Sequence, residues 1–252
     1  MRNSGGWRML AALALMLAGA APAQADEIKV FASRVTKIAL QVLGPDYEKA
    51  SGNKLTVIDD VAVVMKRRIE AGEAFDLAVL VDYQTEDLIK KGHLTGDTLV
   101  TIMHSGTGVA IKRGAKKPDI STVEAFKKTM LEAKSLTYLA EGASTTHVMR
   151  AFEKLGIADA LKAKTTLVPT DTVSERVAAG QDELGIGIIA NIVSVPGVEL
   201  IGPFPAELQF NIVFSGATAK NSAHPQAARD ILKLLTSPKA KEIIAARGMQ
   251  PG

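Results

Sequence analysis

The sequence predicts an α/β protein made of two similar blocks, each a mainly parallel sheet flanked by helices, and three observations predict it. Short β-like runs alternate with amphipathic helical runs, which is the grammar of parallel strands joined by crossover helices. One run, Leu77-Ala78-Val79-Leu80-Val81, is apolar throughout, as a strand covered on both faces must be. The same alternation then restarts after Gly106-Thr107-Gly108 and leaves two helical runs over at the end.

Taken in order, Ile28 to Ala32 reads as the first strand, and Thr36 to Ala50 as a helix closed near Gly52. Leu55 to Ile58 is the second strand, followed by a helix from about Val61 to Ala71 whose Met65 and Ile69, four apart, form its buried face. After the third strand, a short helix covers Thr85 to Lys91. A change of lobe falls near Thr101 to Gly108, and Val109 to Ile111 opens the second block. Ser121 and Glu124 predict a capping box for a helix reaching about Ala133. Strands follow at Leu136 to Leu139, Thr166 to Val168 and Leu184 to Ile189, with helices at Ser144 to Leu155 and Thr172 to Ala179 between them. Ile212 to Phe214 reads as a strand leading back, and two helices opened by Pro225 and Pro238 finish the chain. The expected organisation is a first lobe over 26–105, a second over 106–212, and a return of 213–252 to the first.

The first 25 residues read as a leader. Arg2 and Arg8 precede an apolar run from Met9 to Gly19, and Ala23-Gln24-Ala25 is a small-x-small cleavage site. That run is too short to anchor the chain in a bilayer, and no cysteine is present to carry a lipid or a disulfide. The leader holds two Arg and no acid, so its removal lowers the formal charge from +3 to +1. A near-neutral chain with scattered charge argues against nucleic acid as a partner. The expectation is a monomer released into the periplasm.

Catalytic and metal signatures are sparse. His93, His104, His147 and His224 have no metal-ligand spacing, so neither a metal nor any cofactor is expected. Gly185-Ile186-Gly187 matches a dinucleotide-binding string only on paper, since its apolar interior belongs to a buried strand and no acid follows at the required distance. Lys66-Arg67-Arg68 and Lys112-Arg113 with Lys116-Lys117 read as solvated helix and turn positions. What remains are polar residues where strands end and helices begin: Ser33, Arg34 and Val35 after the first strand, Asp60 and Val61 after the second, Ser144, Thr145 and Thr146 opening one helix, and Thr170, Asp171 and Asn191 after later strands. At that edge of an α/β sheet, free helix N–H groups and the positive end of the dipole favour an anion. Ser and Thr are also ordinary caps, so the case rests on their convergence from two blocks.

Val30-Phe31-Ala32-Ser33, Arg68 to Gly72 with Phe75-Asp76-Leu77, Phe152 to Gly156, Leu184-Gly185-Ile186 and Leu235 to Pro238 together resemble the periplasmic molybdate-binding proteins of ABC importers. The resemblance spans about 27–250 and implies a two-lobed type II periplasmic binding protein fold, its lobes joined by hinge strands and closing on a ligand before docking to an ABC transporter permease. It also implies an oxyanion held by hydroxyls, from a serine on the first loop, another before the second helix and a tyrosine after a late second-lobe strand. Here the first-loop position falls on Ser33 or Val35, the second loop is Val61-Ala62-Val63-Val64, and the late tyrosine position falls near Ile188 or Ile189. Arg34, outside that pattern, offers a bidentate partner for a carboxylate, with Val61 to Val64 against an apolar part of the ligand. The reading is therefore a binding protein for a small anion, either a molybdate-like oxyanion or a small organic carboxylate. An enzyme or a sensor-linked receptor on the same scaffold is the alternative. As an enzyme it would draw its acid or base from His147, Asp60 or Asp171.

Overall fold

The computed structural model describes residues 25–252; the leader expected at the N-terminus lies outside the described residues. The first block runs β1 (Glu27–Ala32), α1 (Arg34–Ser51), β2 (Lys54–Asp59), α2 (Ala62–Glu70), β3 (Leu77–Val81), α3 (Asp82–Lys90) and β4 (Val100–Ser105). β1 sits between β2 and β3 and runs parallel to both, with Val30 opposite Val57 and Leu77. Every side chain of β3 is buried. α1 begins at Arg34, two residues before its expected start, and continues through Pro45 to Gly52, whose positive φ of 76° ends it. The segment expected as the change of lobe, Thr101 to Gly108, is mostly strand.

The second block runs β5 (Thr107–Lys112), α4 (Val123–Glu132), β6 (Leu136–Leu139), α5 (Thr145–Lys154), α6 (Ala158–Lys162), β7 (Thr165–Val168), α7 (Val173–Ala178), β8 (Leu184–Ile188), α8 (Ile189–Val193) and β9 (Val198–Pro203). Three of these, α6, α8 and β9, went unread in the sequence. The two helices are only five residues long, too short to show a period, and β9 carries Gly202 and Pro203, which usually mark turns. The expected cap also moves by one residue. Thr122, not Ser121, caps α4, its hydroxyl accepting from the Ala125 N–H at 3.1 Å, while the Ser121 N–H is taken by Asp119 at 2.9 Å.

The chain then returns through β10 (Ile212–Thr218), α9 (Pro225–Leu235), α10 (Pro238–Ala245) and β11 (Gln250–Pro251). β10 lies antiparallel between β3 and β4, so the first sheet has the order β11-β4-β10-β3-β1-β2 and draws strands from both ends of the described chain. The second sheet has the order β7-β6-β8-β5-β9. Each sheet is covered on both faces. Ile28, Val30 and Val79 pack with Leu40, Ile231, Leu235 and Ile244 on one side of the first, and Phe31, Ala78 and Leu80 pack with Met65, Ile69 and Leu88 on the other. In the second, Phe126, Met130 and Phe152 bury one face of the sheet and Val177 and Ile192 the other.

The lobes are joined where β4 passes into β5 and where β9 passes back to β10. Gln209 in the return segment clamps the outgoing strand twice, accepting from the Thr107 N–H at 2.9 Å and donating to the Thr107 carbonyl at 3.0 Å. Gly108 is needed beside this clamp. A Cβ there would stand 2.8 Å from side-chain carbons of Ile189 and Leu200, and 2.9 Å from the Gly202 carbonyl oxygen. The carbonyl is backbone in a paired strand and has nowhere to go. Gly108→Val is expected to cost about 1–3 kcal/mol by overpacking and to lower Tm by several degrees in a thermal melt; an unchanged Tm would show that the join is slack.

Candidate functional site

Parallel strands in both sheets end at one place. β1, β2 and β3 deliver Ser33, Asp59 and Val81 from the first lobe, and β6, β7 and β8 deliver Leu139, Thr170 and Ile188 from the second, to the wall of a cavity of about 200 Å³. Arg34, Asp60, Val61, Asp171 and Asn191 complete its polar and apolar lining, with Phe214 of the return strand behind them. This is the carboxyl edge of both sheets, where α/β folds bind ligands. A wider recess of about 570 Å³ runs along α5, α6 and β7 past Tyr138, Met149 and Phe152, and none of the candidate ligand-binding residues lines it.

Arg34 reaches from the first lobe to the second. Its Nη1 donates to Glu175 Oε1 at 2.8 Å and its Nη2 to the Asp171 carbonyl at 2.6 Å, and its Nε lies 3.6 Å from Asp171 Oδ2. Burial pulls the guanidinium pKa down, but Asp171 and Glu175 together outweigh it and the net displacement is upward, so Arg34 is always charged. The acids around it differ sharply. Asp59 is ion-paired to Lys37 at 2.5 Å. Asp60 is exposed and accepts from the Val61 N–H at 2.7 Å. Asp171 is half-buried, the least exposed of the three. Desolvation raises its pKa above the usual aspartate range, opposed by Arg34 and assisted by Glu175 and Asp59. Asn191 donates to its Oδ2 at 2.7 Å, and its Oδ1 accepts no hydrogen bond among the described residues.

Seven of the residues singled out in the sequence share this wall: Ser33, Arg34, Asp60, Val61, Thr170, Asp171 and Asn191. The side chain of Val35 lies outside the described residues. Ser144, Thr145 and Thr146 are not on it. Ser144 is buried at 3% exposure, Thr145 turns its hydroxyl to the Leu139 carbonyl at 3.0 Å, and Thr146 is exposed; their neighbour Ala143 takes the wall position. Val63 and Val64 are off the wall as well, whereas Val61 crosses to pack on Leu139, Val168 and Val173 of the other lobe. His147 stacks on Phe210 with ring centroids 3.4 Å apart, away from the cavity, and burial with the nearby Arg150 holds its pKa below the usual imidazole value. Glu175 was missed because its charge looks like any acid in a helix's first turn. The Lys37–Asp59 pairing was missed because twenty-two residues separate the partners. Among the described residues, no group of three His, Cys, Asp or Glu is arranged to hold a metal ion.

Comparison with known proteins places this geometry. The model of the bacterial extracellular solute-binding proteins matches residues 28–250. An aconitate isomerase from a Pseudomonas species is 31% identical over 218 residues, covering 84% of this chain and 83% of the relative. The molybdate-binding protein ModA of Escherichia coli strain K12 is 26% identical over 247 residues, covering 94% of each. The solved periplasmic molybdate-binding protein of Azotobacter vinelandii superposes with a TM-score of 0.73 over 89% of this chain and 99% of its own, at 18% identity. The fold is that of the two-lobed type II periplasmic binding proteins, and the chain belongs to the bacterial extracellular solute-binding protein family.

Proposed function

We propose that the cavity between the lobes captures a small organic carboxylate outside the cytoplasm, for delivery to an ABC-type importer. The observation that carries this reading is Arg34. Each of its terminal nitrogens donates once to the opposite lobe and keeps a second N–H, a fork suited to a carboxylate. The Asp171 carbonyl and Glu175 supply the oxygens that orient it. A tetrahedral oxyanion is served less well. The hydroxyls on the cavity wall are those of Ser33, Thr170 and Thr172, and the Ser33 hydroxyl already shares a 3.0 Å hydrogen bond with Thr36. The relative named for aconitate isomerisation supports the carboxylate class, and an unsaturated tricarboxylate is the first candidate.

That relative also favours a second reading, in which the bound carboxylate is isomerised rather than only carried. The specific observation behind it is a desolvated carboxyl, Asp171, set in the cavity wall. Enzymes place such groups where a proton must move.

The direct test is a thermal-shift panel on protein refolded to strip carried-over ligand. It compares cis- and trans-aconitate, citrate and smaller di- and monocarboxylates with molybdate, tungstate and sulfate. A carboxylate at about a hundred times its dissociation constant should raise Tm by about 5–10 °C. A shift with molybdate or tungstate alone would sink the carboxylate reading. Arg34→Ala should weaken carboxylate binding roughly ten- to hundred-fold, the value of a charged hydrogen-bonded pair, and Arg34→Lys should fall between the two in the same titration.

The state of Asp171 has its own signature. Its folded pKa lies above its unfolded value, so the folded state holds the proton more tightly. The stability this group contributes is present in full below the ordinary aspartate value of about 3.9 and is lost as pH rises through the raised folded value. In melts across the acid range, the Tm of the wild type relative to Asp171→Asn is expected to fall as pH rises through that window. A difference that stays flat would mean that burial does not govern this carboxyl.

A further inference from the structure

We propose that Asp171 is the group that moves a proton during turnover, taking it from a carbon of an unsaturated carboxylate held by Arg34 and returning it to another carbon of the same ligand. This rests on the carboxylate reading of the cavity and goes beyond it by assigning a reaction and the residue that performs it.

Of the three aspartates on the wall, only Asp171 has the properties the step requires. Asp59 is neutralised by Lys37 at 2.5 Å. Asp60 is exposed, and one of its oxygens is held by the Val61 N–H. Asp171 has a side chain 22% exposed, with Oδ2 fixed by Asn191 at 2.7 Å while Oδ1 is without a hydrogen-bond partner among the described residues. Asn191 thus acts as a positioning residue, presenting one oxygen of a carboxylate whose other oxygen is anchored. Arg34 Nε lies 3.6 Å from Asp171 Oδ2, so the guanidinium and that carboxyl share one stretch of the cavity wall. A ligand held by the guanidinium therefore places the carbons near its carboxylate beside Asp171. The raised basicity of this carboxyl suits proton abstraction from carbon.

The step balances without any co-reactant. Asp171 takes a proton from the carbon next to the double bond, and that C–H bond breaks. Its electron pair spreads over the allyl system into the carboxylate, where Arg34 stabilises the added negative charge. Asp171 then gives the proton to the far carbon of the allyl unit, a new C–H bond forms, and the double bond has moved by one position. Nothing is oxidised or reduced. The substrate class is an unsaturated polycarboxylate with an acidic C–H adjacent to its double bond.

The experiment uses cis-aconitate in deuterium oxide, followed by proton NMR for both deuterium entry and a shifted double bond, with binding measured in parallel by thermal shift. The wild type should bind and shift the double bond, with deuterium entering the product to the extent that the proton on Asp171 exchanges with solvent before its return. Asp171→Asn, a near-isosteric change, should keep a cooperative melt and a ligand-induced shift while losing at least hundred-fold in the rate of double-bond migration. Asp171→Glu, which restores the base on a longer arm, should recover part of the rate. Binding by the wild type with neither a shifted double bond nor deuterium entry would overturn the proton-transfer role and leave the carboxylate reading standing. Double-bond migration by Asp171→Asn at the wild-type rate would overturn the assignment to Asp171. No binding of cis-aconitate or any other carboxylate by the wild type would overturn both readings together.

Discussion

The arrangement of the cleft depends on one guanidinium placed against a local preference. Arg34 is the first residue of an eighteen-residue helix with no acid in its first turn. A cation there faces the positive end of the helix dipole, a cost of about 0.3–1 kcal/mol on an exposed helix. The opposite lobe offsets it, with the Asp171 carbonyl at 2.6 Å and Glu175 at 2.8 Å. Glu175 in turn sits in the first turn of α7, where a negative charge is favoured. A rule broken at one helix end is thus compensated at the start of another helix across the cleft. Such breaks concentrate at functional positions, since ordinary surface sequence has no reason to keep them.

From that contact the rest of the wall follows. Beside the cavity the lobes meet through Arg34, through Val61 on Leu139, Val168 and Val173, and through Ile188 and Ala190 of the second lobe, which share a buried cluster with the core of the first. A further link, Arg67 to Glu141 at 2.6 Å, joins side chains that are 62% and 56% exposed and contributes little, as solvated pairs do. On the proposed carboxylate reading, a ligand on Arg34 would compete with Glu175, the more exposed of its partners at 46%, and leave the half-buried Asp171 in place. Binding and the relative placement of the lobes would then be coupled at Arg34, which is how hinge closure draws on ligand contacts.

Much of this was legible in the sequence, for a definite reason. Alternating strand and helix runs announce parallel sheets, and parallel sheets put every strand's carboxyl end on the same edge. Ser33, Asp60, Thr170 and Asn191 could be gathered from four corners of the chain by that rule alone. The rule says which residues stand at the edge and nothing about where their side chains turn. Thr145 occupies the right place in the chain, but its hydroxyl goes to the Leu139 carbonyl, and an alanine beside it faces the cavity. Pairings across long sequence separations were out of reach for the same reason. Arg34 with Glu175 spans 141 residues, and no local pattern distinguishes Glu175 from any other acid at a helix start.

The distribution of charge across the wall separates the two ligand classes raised by the relatives. A tetrahedral dianion presents charge in every direction, so each wall it meets must offer a donor. Here the wall offers Arg34 and the hydroxyls of Ser33, Thr170 and Thr172, but also the carboxyl of Asp171 and the apolar carbons of Val61 and Phe214. Desolvating a dianion beside a carboxyl and hydrocarbon surfaces costs about 1–3 kcal/mol for each oxygen left unsatisfied. An organic carboxylate is charged at its ends and uncharged between them. It can set one end on Arg34, lay its carbon chain on Val61 and Phe214, and turn a C–H rather than an oxygen toward Asp171. On the proposed reading, the asymmetry that makes the cavity a poor oxyanion cage would also turn a carbon-bound proton toward the Asp171 carboxyl.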